Sequence, residues 1–309
     1  MPSERVIIVG SRGSRLALRQ TELVLAELRT RFPDRRFQVQ EVRTTGDRRP
    51  DASLAAIGGQ GVFVKELETA LSARRVDLAV HSLKDVPSEL GRGLVLAAIT
   101  ERADVRDAVV SRDNFHLAEL PAGSRVGTGS LRRAVQVKAL RPDLEVADLR
   151  GNVDTRLRKV KEGQVDAAVL AVAGLARLGY LERAAEILDT DAMLPAIGQG
   201  ALTLEARADD AEVIEMASAL DHRDTRLATA AERAFLARLG GGCRLPIAAL
   251  GIVDGDSLRL RGLIADPEGR RILRGETAGP ASDAEAVGAK LAEQLLAQGA
   301  AELIAEAES

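Results

Sequence analysis

Cys243 is the only cysteine among 309 residues. It follows Gly240, Gly241 and Gly242 and precedes Arg244. A lone thiol forms no internal disulfide. Three glycines give backbone freedom that a thiol packed in a core does not need. Arg244, with Arg233 and Arg238 upstream, favours the nucleophilic thiolate. Two readings are open at this point: a side chain that carries a covalent group, and a small buried hydrophobe.

Four other segments hold polar residues just beyond strand-like runs, where α/β proteins bind ligands. Gly10-Ser11-Arg12-Gly13-Ser14 offers hydroxyls, backbone N–H groups and a guanidinium to an anion, or simply caps a helix. His81-Ser82-Leu83-Lys84-Asp85 puts an ammonium beside a carboxylate, read as an acid/base pair or as a surface ion pair. His81 itself reads as a hydrogen-bonded structural residue. Gly127-Thr128-Gly129-Ser130-Leu131-Arg132-Arg133 is a strand, a turn and a helix start. Arginines in a first helical turn oppose the helix dipole, which favours a carboxylate or phosphate partner over simple solvation. Arg150-Gly151-Asn152, with Arg156 and Arg177 beyond, repeats the idea, because planar guanidiniums suit carboxylates. Neither a Walker A loop nor a Rossmann fingerprint occurs. His116 and His222 lack metal-ligand spacing, so no catalytic metal is expected. The arginines imply a ligand with several carboxylates or phosphates.

These residues sit in an alternation of short apolar runs and longer amphipathic stretches, the α/β signature. Strands are predicted at 5–9, 37–43, 76–80, 125–127, 145–149 and 165–172. Helices are predicted at 14–31, 62–74, 131–140, 154–162, 225–239 and 283–298. RRVDLAV (74–80) echoes GQVDAAV (163–169), which suggests two lobes of similar construction with a cleft between them. Beyond residue 222, turn signals at Asp254-Gly255-Asp256 and Asp266-Pro267-Glu268-Gly269 indicate hairpins, hence a small α+β domain holding Cys243.

Bulk properties exclude several classes. No apolar run approaches the ~20 residues that span a bilayer, and the N-terminus has no signal-peptide core, so a cytoplasmic chain is expected. Five Phe, one Tyr and no Trp leave few stacking platforms, and net charge is only −3, so no nucleic-acid partner is expected. Charge is uneven: from Arg125 to Lys161 there are ten basic and four acidic residues, an anion-attracting stretch.

Taken together, the segments resemble the porphobilinogen deaminase family: VDLAVHSLKDVP (76–87), GTGSLRR (127–133), LRGNVDTRL (149–157), LPAIGQGAL (194–202) and AERAFLARLGGGCRLPI (231–247) among them. The resemblance implies two periplasmic-binding-protein-like α/β domains, 1–99 plus 200–220 and 100–199, and an α+β domain over 221–309. It implies a dipyrromethane cofactor joined to Cys243 by a thioether, and a monomer acting on porphobilinogen. Four substrates are joined head to tail with release of ammonia, and the chain is then hydrolysed to hydroxymethylbilane. Loss of ammonia leaves a cationic ring, which Asp85 stabilises with Lys84 beside it. Ser82, Lys84, Asp85, Thr128, Ser130, Arg132, Arg133, Arg150 and Gly151 match cofactor positions. Arg12, Ser14, Arg150, Arg156, Arg177 and Gln199 match substrate positions. Gln60, Gly129 and Leu245 depart from the common pattern. The rival reading is a two-lobed binding protein for a small polycarboxylate. Hinges near residues 100 and 200, or movement around 54–61, are the two expected ways to accommodate a growing product.

Overall fold

The computed structural model describes residues 5–42, 64–240 and 245–308. Gln60, the segment 54–61 and Cys243 with its neighbour Arg244 lie outside the described residues. The strands are β1 (Val6–Arg12), β2 (Arg36–Val42), β3 (Leu78–Ser82), β4 (Leu94–Ile99), β5 (Asp107–Ser111), β6 (Arg125–Gly127), β7 (Glu145–Ala147), β8 (Ala167–Ala171), β9 (Glu186–Ile187), β10 (Leu202–Arg207), β11 (Ile247–Asp254), β12 (Ser257–Ala265) and β13 (Ile272–Pro280). The helices are α1 (Arg15–Arg31), α2 (Lys65–Ser72), α3 (Leu131–Leu140), α4 (Val153–Lys161), α5 (Val172–Arg177), α6 (Ala211–Ser218), α7 (Arg223–Arg238), α8 (Ala284–Leu295) and α9 (Ala301–Glu308).

Contacts divide the chain into two units: Met1–Ala103 with Gly200–Arg226, and Asp104–Gln199 with Leu227–Ser309. The first holds a sheet in the order β2-β1-β3-β10-β4. β1 runs parallel to β2 and β3, and β10 enters antiparallel to both β3 and β4. Ser14 caps α1, its hydroxyl accepting from the Ala17 amide at 3.2 Å, which satisfies one orphan donor of the first turn. α1 then buries Val24, Leu25 and Leu28 against Ile7, Val9, Leu78 and Leu204 of the sheet.

The second unit holds a sheet in the order β7-β6-β8-β5-β9, with β6 parallel to β7 and β8, and β5 antiparallel to β8. A three-stranded meander, β11-β12-β13, lies in the same unit. Its alternation serves two cores. Leu258 and Leu260 face Phe235 of α7 and Leu291 of α8, while Leu263 and Ala265 face Val135 and Leu194. Phe235 is fully enclosed, a burial that stabilises by about 3 kcal/mol.

The predicted strand 125–127 and helix 131–140 coincide with β6 and α3. The strand expected at 76–80 instead starts at Leu78, because Asp77 is already committed to a clamp. Its N–H donates to the Ile8 carbonyl at 2.7 Å and its carboxylate accepts from the Ile8 N–H at 2.9 Å. Asp166 repeats this arrangement with Arg125, at 2.9 and 2.8 Å. The VD pairs of the two echoed passages therefore do the same job, at the start of the middle strand of each five-stranded sheet.

Candidate functional site

In the first unit, Arg12 at the end of β1, Ser14 capping α1, Ser82 at the end of β3 and Asp85 beyond it line one open cavity, with His81 and Gln20. The turn Leu83–Asp85 follows β3 directly. Leu83 points inward, fully buried, and its N–H donates to the Ala201 carbonyl at 3.0 Å. That anchor turns the half-buried Lys84 and Asp85 away from the core. Among the described residues the Asp85 carboxylate has no hydrogen-bond or ion-pair partner. Gln20, buried on α1, donates from Nε2 to the Ser82 hydroxyl at 2.9 Å and fixes it. Sequence reasoning passed over Gln20. Its signal is a polar residue on the apolar stripe that continues at Val24 and Leu28.

In the second unit a buried carboxylate organises the arginines. Asp107, 0% exposed at the head of β5, lies between Arg132 and Arg133, 5% and 6% exposed. Arg133 donates from Nη2 to Asp107 Oδ1 at 2.7 Å and from Nη1 to the Val169 carbonyl at 3.0 Å. Arg132 Nη1 is 2.8 Å from Asp107 Oδ2 and donates to the Leu194 carbonyl at 2.7 Å. Gln199 Nε2 donates to Asp107 Oδ1 at 2.9 Å and to the Val105 carbonyl at 2.8 Å. Burial alone would raise the Asp107 pKa, but the two guanidiniums outweigh it and hold the carboxyl well below its usual range. Burial pushes Arg132 down, and Asp107 opposes this. The carboxylate partner inferred for these arginines thus exists within the chain. Sequence reasoning missed Asp107, whose signal was an acid opening the apolar run Ala108-Val109-Val110.

The same unit holds the other residues of the expected site. Arg132 Nε is buried without an acceptor among the described residues. The Thr128 hydroxyl accepts from the Ser130 N–H at 3.2 Å, which shapes the turn before α3. Arg150 Nε donates to the exposed Asp148 at 2.9 Å, and Arg156 Nε donates to the Gly151 carbonyl at 2.8 Å. Arg177, at the end of α5, is pushed down to about 10 by burial. A group bearing several carboxylates fits this donor set, because an orphaned buried N–H and partly engaged guanidiniums both gain from an anion. Arg12, Ser14, Ser82, Lys84 and Asp85 belong to the first unit. Thr128, Ser130, Arg132, Arg133, Arg150, Gly151, Arg156, Arg177 and Gln199 belong to the second. Among the described residues no His, Cys, Asp and Glu side chains assemble a metal site, and no helix is long and apolar enough to cross a membrane.

Residues 7–215 match the family model "Porphobilinogen deaminase, dipyromethane cofactor binding domain", and residues 226–297 match "Porphobilinogen deaminase, C-terminal domain". A porphobilinogen deaminase of Roseiflexus sp. (strain RS-1) is 51% identical over 98% of this chain and 99% of its own length. One from Desulforudis audaxviator is 51% identical over 97% of both. Among solved structures, the VFT2 domain of Bordetella pertussis BvgS is similar at a TM-score of 0.41 and 19% identity, covering 69% of this chain and 85% of that domain. With both family models matched and full-length relatives about half identical, the chain belongs to the porphobilinogen deaminase family.

Proposed function

We propose that this enzyme condenses four porphobilinogen molecules head to tail and hydrolyses the product to hydroxymethylbilane, with Asp85 as the catalytic carboxylate. The observation that carries the role of Asp85 is its open state. Asp107 and Asp148 are held by arginines, whereas Asp85 faces a cavity with its charge uncommitted. An uncommitted carboxylate is positioned to oppose the positive charge that develops as ammonia leaves a pyrrole. Lys84 beside it, with Arg12, Ser14 and the Gln20-held Ser82, binds and orients the acidic ring substituents.

The dipyrromethane joined to Cys243 supplies the primer whose free end is extended. Thr128, Ser130, Arg132, Arg150 and Gly151 would hold its carboxylates, and Arg150, Arg156 and Arg177 would hold those of the substrate. Arg132 has a donor left for this task, its buried Nε. Arg133 and Gln199 act chiefly by fixing Asp107. The domain division proposed is 1–99 plus 200–220, 100–199 and 221–309, and the compartment is the cytoplasm.

Intact mass tests the reading. After incubation with porphobilinogen, the purified chain exceeds its sequence mass by two pyrrole units, and Cys243→Ser abolishes the excess. A folded chain that stays at its bare mass and releases no ammonia would instead be a polycarboxylate-binding protein.

A further inference from the structure

His81 and Glu205 form a pair that the proposed roles leave unused. His81 is the fourth residue of β3 and lies opposite Thr203 of β10, which places Glu205 two residues further along the facing strand. The two side chains meet at 2.9 Å, Nε2 to Oε2. Glu205 is 0% exposed, and its other oxygen, Oε1, has no partner among the described residues. A carboxylate enclosed in this way needs a cation or donor, and the imidazole is the one it has. An ionised Glu205 accepts from Nε2–H, which leaves the Nδ1 lone pair as the free face of the ring. His81 lines the same cavity as Asp85. Among the described residues Nδ1 has no partner and is not sealed off. The ring's partner is Glu205 from β10, and the charged and polar groups that line its cavity are Arg12 from β1, Ser14 at the cap of α1, Gln20 on α1, Ser82 of β3 and Asp85 from the turn after β3.

We propose that His81 is the proton-handling group of the Asp85 cavity and that Glu205 is the positioning residue that fixes its tautomer. The proposal rests on the reading of Asp85 as the catalytic carboxylate. In each condensation the aminomethyl C–N bond breaks with its electron pair going to nitrogen. A C–C bond forms, and a pyrrole C–H bond breaks with its pair returning to the ring. The proton lost at carbon equals the one that ammonia takes up to depart as ammonium, so the group that carries it ends unchanged. Asp85 is poorly suited to that task, because accepting the proton would neutralise the charge it must present at that moment. A neutral imidazole in the same cavity removes the conflict.

The test uses the full-length holoenzyme labelled with ¹⁵N-histidine. The chain has three histidines, so loss of one signal set in His81→Asn assigns the ring. The expected state near neutral pH is the Nε2–H tautomer, relaxing towards a mixture in Glu205→Gln. Glu205→Gln should lower kcat about 10- to 100-fold, as loss of an orienting carboxylate does for histidine ligands, with KM little changed. His81→Asn should lower kcat at least as far. An Nδ1–H tautomer in the wild type, or a wild-type kcat in His81→Asn, overturns the proposal. If Glu205→Gln does not fold, the wild-type tautomer and His81→Asn decide alone. The tautomer is read without substrate. A failed Asp85 reading shows separately, as an active Asp85→Ala.

Discussion

The two five-stranded sheets share one plan and use it differently. Their strand orders, β2-β1-β3-β10-β4 and β7-β6-β8-β5-β9, correspond position for position. Asp77 and Asp166 clamp the first strand in the same way, and Gly10 and Gly127 occupy the same register beside the middle strand. The difference lies in where each sheet spends its buried acids. The first ties Asp77 and Asp210 to Arg5 and Arg207, with contacts of 2.7 to 2.9 Å, at the start of β3. Its far end, beyond Ser82, keeps Asp85 open. The second places its lock at the finish of the middle strand, where Asp107 pairs with Ala171 of β8. One sheet therefore leaves a carboxylate open at the end of its middle strand, where the other pairs a buried carboxylate with two arginines. On the proposed reading, a shared scaffold serves chemistry in one unit and anion binding in the other.

The largest effect should come from the open end. Asp85→Ala should lower kcat by roughly 10²- to 10³-fold, the span of one lost electrostatic stabiliser of the developing charge, while the covalent group stays attached by intact mass. Near-normal turnover would erase the contrast between the two sheets. Next comes the braced end. Asp107→Ala strands two buried guanidiniums and should cost about 3–5 kcal/mol in denaturant unfolding. A loss under about 1 kcal/mol would mean that the arginines need no internal partner.

The shared plan gives a smaller test. A Cβ on Gly10 would lie 2.8 Å from a Leu67 methyl, and one on Gly127 would lie 2.8 Å from a Leu149 methyl. Gly10→Ala and Gly127→Ala should each destabilise by about 1–3 kcal/mol, and unequal costs would show that the two positions are not equivalent. The first unit's lock is legible in acid. Asp210, hydrogen-bonded by Arg5, is held at about 2 against an ordinary 3.8. A depressed carboxyl contributes stability above its unfolded value and loses it as pH falls through the folded one. Asp210→Asn should therefore flatten the stability profile between pH 3.8 and about 2, and an unchanged acid profile would remove the assignment. Smallest is Gly129→Ser. The new Cβ would sit 3.1 Å from the Leu149 carbonyl and 3.4 Å from Arg150 Nη1. That adjustment should cost under about 1 kcal/mol, and its effect on KM would show whether a hydroxyl there serves binding.

Glycine and hydroxyl punctuation around 127–130 marked both β6 and α3, because turn chemistry and a helix start are local events. The VD echo marked the middle strands for the same reason. β4, β5, β9 and β10 escaped. They join their sheets antiparallel, through partners far along the chain. β10 carries Thr203, Glu205 and Arg207 into a fully buried strand, against the hydropathy pattern that identifies one. The arginines were legible as anion binders because their number was visible. Their bracing by Asp107 was not, since one acid 25 or 26 residues upstream has no sequence signature.

The place of β10 has a consequence for how the molecule is born. It lies between β3 and β4, yet its His81 contact joins residues 124 positions apart in the chain. On a ribosome adding about 5–20 residues per second, the N-terminal strands wait many seconds for the one that completes them. The second sheet, drawn wholly from 107–187, is available to close first. The sheet whose strands emerge earliest is thus completed only after every strand of the second sheet has emerged, and Asp85 stands at the edge of the later-completed one.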